Sequence, residues 1–219
     1  TRVRLDLDVR GELFAPAGRD AAPVRQPITV EARFDFLEQP TTGGEGAASR
    51  LYREARAVVR VDGQADEINL PADARRIEVA LRGTTPVPYL ADGFLSRAEA
   101  DLLDTPCDSL LLDRLLAADP VAVGAKWTVP ADAAAGMLAI DTIESGNLEA
   151  ELTAVEEHLA TVRLTGIVDG AVDGVPTHLT IEGDCTMATV AADGDTATWR
   201  LVAVRVAALT LRERRQASH

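Results

Sequence analysis

The run Asp119-Pro120-Val121-Ala122-Val123-Gly124-Ala125-Lys126-Trp127-Thr128-Val129-Pro130 divides the chain between short helical segments and long strands. Pro120 lacks an N–H and disfavours helical geometry at the residue before it, so a helix arriving from the N-terminal side must stop there. Val121 and Val123 alternate, Gly124 permits a tight turn, and Lys126-Trp127-Thr128-Val129 reads as a short extended run. The stretch also holds the only lysine of the chain and one of its two tryptophans. Trp127 carries a large apolar surface, suited to anchoring the helical part on the β part or to facing a ligand.

Outward to the N-terminus the pattern is strand-like. Val3, Leu5, Leu7 and Val9 alternate with Arg2, Arg4, Asp6, Asp8 and Arg10, which predicts a half-buried strand with one charged face. Residues 15–27, rich in Pro, Gly and Ala, read as a loop, and the alternation resumes from Ile28 to Leu37 with Phe34 and Phe36 on the apolar side. Residues 40–48 are a Gly- and Thr-rich connection. Leu51 to Val61 is expected as a strand closed by a turn at Asp62-Gly63, followed by shorter strands at 66–70 and 76–81.

The character changes near Tyr89. Ser96 with Glu99 forms a capping box, predicting a helix from Arg97 to about Leu103. Thr105-Pro106 supplies an N-cap and first-turn proline for a second helix, with Leu111, Leu112, Leu115 and Leu116 on one face beside Leu110. A third short helix is expected over 131–141, weakened by Gly136 by about 1 kcal/mol relative to alanine. Beyond it, Gly146 is read as separating this helix from a strand at 148–155. Glu156-Glu157-His158 is the expected turn to a strand at 160–168, and Asp169-Gly170 and Asp173-Gly174 mark a further loop or hairpin end. Strands at 177–182, 184–191 and 196–212 complete a meander, with a hairpin turn at Asp193-Gly194 and a bulge at Ala207-Ala208.

Strands, then short helices, then strands predict an α+β fold: one large, curved, antiparallel β-sheet, half-barrel-like, with two to three short helices packed on one face. The expected organisation is a single domain over 1–219. It comprises a strand block at 1–90, a helical insertion at 91–141 carrying the 119–130 hinge, a strand meander at 142–212 and a polar tail at 213–219.

Composition narrows the function classes. A net charge of −13 would repel phosphate backbones and anionic membranes, which excludes nucleic acid as an expected partner. No apolar run approaches the roughly 18–20 residues of a membrane span, so no transmembrane segment is expected. Cys107 and Cys185 form no CxxC pair, so a zinc or thioredoxin-type site has no support. They read either as a bridge from the helical segment to a late strand, stabilising by about 4 kcal/mol on the chain-entropy argument, or as two separate buried thiols. Cys107 near a helix N-terminus would have the lowered pKa of a nucleophile, but no histidine is placed beside it by sequence. His158, His178 and His219 share no metal-ligand spacing, and Asp169 to Gly174 lacks the alternating acids and closing glutamate of a calcium loop. No GxSxG, GxxxxGK[ST] or GxGxxG occurs. No metal or cofactor is expected, and no catalytic set emerges.

The run Pro120-Val121-Ala122-Val123-Gly124-Ala125-Lys126-Trp127 resembles a PVxVGDxW signature of uncharacterised secreted proteins abundant in planctomycete-type bacteria. The segments Leu138 to Ser145, Thr161 to Thr177 and Leu209 to Arg215 look like the same family, so the likeness spans about residues 100–215. Ala125 departs from the acidic residue of the signature. The resemblance carries no activity; it implies an extracytoplasmic protein, periplasmic or secreted, whose export signal is not in the chain. The expectation is thus an exported, non-enzymatic β-rich binding or interaction module of the bacterial cell envelope, with a protein or envelope component as partner. The alternative is a carrier of an apolar ligand or lipid in a half-barrel cavity, with Leu111, Leu112, Leu115, Leu116 and Trp127 as lid contacts. An enzyme working through dispersed carboxylates ranks below both.

Overall fold

In the computed structural model, residues 1–15, 24–41, 46–117, 119, 121–156, 159–172, 174–191 and 197–212 are described, with side chains outside 13–15, 188–191 and 197–212. The expected turn residues Glu157 and His158, Asp173, the Asp193-Gly194 turn and the 213–219 tail lie outside them.

The alternating runs become strands because every second side chain can then reach a common apolar layer. The N-terminal block contains β1 (Arg2–Ala15), β2 (Val24–Pro40), β3 (Ala47–Val61), β4 (Gln64–Asn69), β5 (Arg76–Arg82) and β6 (Thr85–Tyr89). The C-terminal block contains β7 (Lys126–Thr128), β8 (Thr142–Glu156), β9 (Leu159–Val172), β10 (Val175–Ala191) and β11 (Ala197–Arg212). All eleven join one open sheet in the order β6-β5-β3-β2-β1-β11-β10-β9-β8-β7, with β4 also on β3. The fold is α+β, and the sheet is antiparallel with one exception. At its middle β1 and β11 run parallel, Val9–Glu12 facing Leu209–Arg212. No local crossover is needed there, because the two strands come from opposite ends of the described chain.

Between the blocks lie α1 (Arg97–Leu103), a 3-10 turn over Ser109–Leu115, and α2 (Ala131–Leu138). They pack on the inner face, where Val3, Leu5, Leu7, Val9, Phe34, Phe36, Leu148, Leu152, Val162, Leu164, Leu179 and Ile181 are buried with them in one core. The outer face of the N-terminal block is a charged layer of cross-strand pairs, including Arg33–Asp6 and Arg60–Glu31. Such exposed pairs contribute little stability each, at most about 1 kcal/mol.

Several local expectations hold and several are corrected. The Ser96–Glu99 capping box is present, with Ser96 Oγ accepting from the Glu99 amide and Glu99 Oε2 from the Ser96 amide. Asp62 and Gly63 both have positive φ, as a two-residue hairpin turn requires. The β10–β11 register slips between Glu182 and Asp184, opposite the segment from Arg205 to Ala208, where a bulge was expected. The second helix, however, does not begin at Thr105. Pro106 and Cys107 form a bend with Cys107 at φ 64°, and Asp108 caps a 3-10 turn through its bond from the Leu110 amide. Gly146 does not separate helix from strand but lies inside β8. A Cβ there would come within 2.0 Å of the Ile167 carbonyl oxygen, and its φ is +90°. Asp169-Gly170 continues β9, and the hairpin end lies between Val172 and Val175, where β9 returns as β10. β6, with sequence Thr-Pro-Val-Pro-Tyr, was not foreseen.

Candidate functional site

The helical insertion is fixed to the sheet by a buried polar cluster. β3 places Arg50 on the inner face, where its side chain is 4 % exposed. Its Nη1 and Nη2 donate to Asp108 Oδ2 and Oδ1 at 2.8 and 2.7 Å, a bidentate fork. Nε donates to Glu38 Oε2 at 2.8 Å, and Nη2 also donates to Ser109 Oγ at 3.0 Å. Ser109 Oγ in turn donates to Glu38 Oε2 at 2.6 Å. The guanidinium carbon sits 4.9 Å from the Phe36 ring centroid, and Phe36 contacts Tyr52 with centroids 4.8 Å apart. Burial acts to lower the Arg50 pKa, but the hydrogen bonds and charge of Asp108, with help from Glu38, reverse it to a net rise. The cluster is a locked ion network between β2, β3 and the insertion. What void remains at this seam is about 10 Å³, roughly the probe-sphere volume needed for one water.

The leucine face lies directly beyond. Leu111, Leu112 and Leu115 are 0, 2 and 1 % exposed, while Leu116 is half-buried. Half-buried Trp127, on β7, donates its indole N–H to the Leu115 carbonyl at 2.7 Å, which satisfies an end carbonyl of the 3-10 turn. The structure therefore brings these residues together as the filling between helices and sheet. Gly136 of α2 faces the β5–β6 turn closely enough that a Cβ would lie 2.6 Å from the Thr84 carbonyl oxygen.

Cys107 and Cys185 are both buried free thiols. Burial pushes the Cys107 thiol up to about 12, with a smaller contribution from the nearby Cys185, and burial likewise pushes Cys185 up to about 12. That is opposite to the lowered pKa of an activated nucleophile.

On the outer face a row that the sequence reading did not connect crosses β8, β9 and β10. Ser145 Oγ donates to Asp169 Oδ2 at 2.9 Å, and His178 Nδ1 lies 2.6 Å from Asp169 Oδ1. The carboxylate bridges the other two, so the hydroxyl is bonded to the acid and not to an imidazole base. That order does not activate a serine. The His178 and Ser145 hydrogen bonds hold the Asp169 carboxyl below its usual range. Across the described residues every shifted group moves away from neutrality: Asp35 and Asp169 down, both thiols and Tyr52 up. A carboxylate or thiol recruited as a general acid or base at neutral pH is displaced the other way.

The edges at the two ends of the strand order are blunted. The Leu81 amide bonds to Gly46 on the β3 side, so Leu81 and its partner Pro86 form a pair with no hydrogen bonds between β5 and β6. The backbone positions of Pro86, and of Pro88 two residues on, therefore face the open edge and offer no donor to an added strand. β7 at the far edge is three residues long and carries Lys126. Among the exposed apolar side chains Phe94, just past β6, stands out at 97 %, with Tyr89 at the end of β6 at 47 %.

No helix among the described residues is long and apolar enough to cross a membrane. Comparison of the chain with known protein families, with characterised proteins and with solved structures gave no match.

Proposed function

We propose that this protein is a non-catalytic β-rich binding module of the bacterial cell envelope, exported from the cytoplasm, which meets a protein or envelope component through its surface. The carrying observation is the seating of Leu111, Leu112 and Leu115, which occupy the inner face of the sheet themselves at 0–2 % exposure. A carrier of an apolar ligand needs that face vacated, at the cost of unseating these leucines and breaking the Arg50–Asp108 fork. The pKa displacements away from neutrality support a non-catalytic role, and the extracytoplasmic placement rests on the resemblance of residues 100–215 to secreted proteins.

The blunted β6 and β7 edges disfavour partner strands adding there and direct attention to side chains. Phe94, with Tyr89 close in sequence, is the anchor this reading selects, since aromatic side chains dominate binding hot spots. A photo-crosslinking residue at position 94, expressed in the native host, is expected to give a discrete adduct that is lost when the crosslinker is moved to exposed Glu67 on β4. Equal adducts from both positions, or none from position 94, would count against the assignment.

A further inference from the structure

β3 lends one edge to two different strands, Ala47–Leu51 to β5 and Arg56–Val61 to β4. Between them the edge is bridged by the Tyr52 amide to the Arg75 carbonyl at 2.9 Å and the Leu70 amide to the Ala55 carbonyl at 3.0 Å. Against β2 the register slips at this same point, Asp35 facing Glu54 and Phe36 facing Tyr52, so Arg53 is an extra residue without a cross-strand partner. A bulge of this kind re-aims the side chain it carries.

The break opens as a cleft of about 300 Å³ whose lining includes Arg53, Arg56, Arg75, Glu54 and Asn69. Its charge differs from that of the paired layer on β1 to β3. Elsewhere on the outer face, arginines such as Arg2, Arg33 and Arg60 meet carboxylates. Within the cleft Arg56 is paired with Glu54 at 2.8 Å. Arg53 and Arg75 are exposed and have no carboxylate within ion-pair distance among the described residues. Asp35, whose charge reaches Arg53, is bonded by Arg2. Three guanidinium groups against one carboxylate leave a surplus of two positive charges, in a chain whose net charge is −13.

We propose that this cleft binds a small dianionic oxyanion of the phosphate class, held by Arg53 and Arg75. Guanidinium forks match the tetrahedral oxygens of phosphate, and a dianion balances the surplus where a single carboxylate would not. The volume lies at the lower bound of small-molecule sites, about 300–1,000 Å³. It suits inorganic phosphate, a small phosphate ester or the headgroup of a phosphate-bearing lipid. The site is separate from the Phe94 loop and does not depend on the binding-module reading.

The test is a titration of the intact protein with sodium phosphate at low ionic strength, by calorimetry and by amide chemical shifts. Saturable binding at one site is expected, with shifts centred on residues 52–56 and 69–75. Affinity should fall at least tenfold in Arg53→Gln/Arg75→Gln, fall partly in Arg75→Gln alone, and hold in Arg82→Gln. A second arm measures co-flotation with phosphatidic acid vesicles against phosphatidylcholine vesicles. Arginine-dependent flotation assigns a lipid phosphate, and phosphate binding without flotation assigns a free one. No saturable phosphate binding, or unchanged affinity in the double variant, would overturn the proposal.

Discussion

Removing the carboxylate of Asp108 should damage this protein more than almost any other single change. In Asp108→Ala the Arg50 guanidinium loses both bonds of its fork while remaining in a place where its side chain is 4 % exposed. Glu38 and Ser109 keep two of its donors occupied, so the charge is only partly compensated. Breaking one partner of a buried pair costs about 3–5 kcal/mol. Asp108 is also the cap of the Ser109–Leu115 turn, bonded from the Leu110 amide, and losing a cap costs about 1 kcal/mol. The expected total is roughly 4–6 kcal/mol against a domain stability of about 5–15 kcal/mol. Guanidinium unfolding followed by far-UV circular dichroism measures it, with Arg50→Met/Asp108→Leu closing the comparison. The double variant should recover part of the loss, because no unpaired guanidinium remains, while Glu38 keeps only its bond from Ser109 and the Asp108 cap stays absent. A loss below about 1 kcal/mol in Asp108→Ala, the scale of an exposed pair, would refute the claim that this network pins the insertion to the sheet.

Other expectations follow from the same geometry. The two thiols have folded pKa values raised to about 12 from 9.0, so the unfolded chain ionises first as pH rises. Their contribution to stability is complete below about pH 9 and is lost as pH climbs towards about 12. Urea midpoints between pH 7 and 11 should fall for the wild type and fall less for Cys107→Ala/Cys185→Ala; parallel curves would contradict the burial argument. A thiol reagent at pH 8 should modify neither cysteine in the native protein and both in urea. Gly146→Ala should destabilise by more than about 1 kcal/mol, since its φ of +90° and the Ile167 carbonyl both oppose a side chain. Trp127→Phe should cost about 1 kcal/mol beyond any packing change, for the lost bond to the Leu115 carbonyl.

What could be read in advance was whatever is written in local spacing. Val3, Leu5, Leu7 and Val9 announce an inward face because the strand period is two residues, and Ser96 with Glu99 announces a helix start because both partners lie within one turn. Local signals also misled. Thr105-Pro106 has the form of a helix start, yet the chain turns through a left-handed Cys107 and gives the cap to Asp108. The prolines of β6 argue against a strand, and they are tolerated because their missing donors face the open edge. The Arg50–Asp108 fork joins residues 58 apart, so no spacing rule points to it. The parallel β1–β11 seam is likewise a product of how the whole chain closes. The leucines from 110 to 116 were legible as an apolar face, but whether such a face fills a core or covers a cavity depends on the sheet opposite it.

That last distinction decides between a filled binding module and a carrier. It is tested most directly by native mass spectrometry of the protein purified from its own host's envelope, followed by organic extraction. The account predicts the mass of the polypeptide alone, or with a polar ion only, and no apolar molecule in the extract. A stoichiometric lipid or other apolar ligand released on extraction would contradict it, because the space it needs is held by Leu111, Leu112 and Leu115.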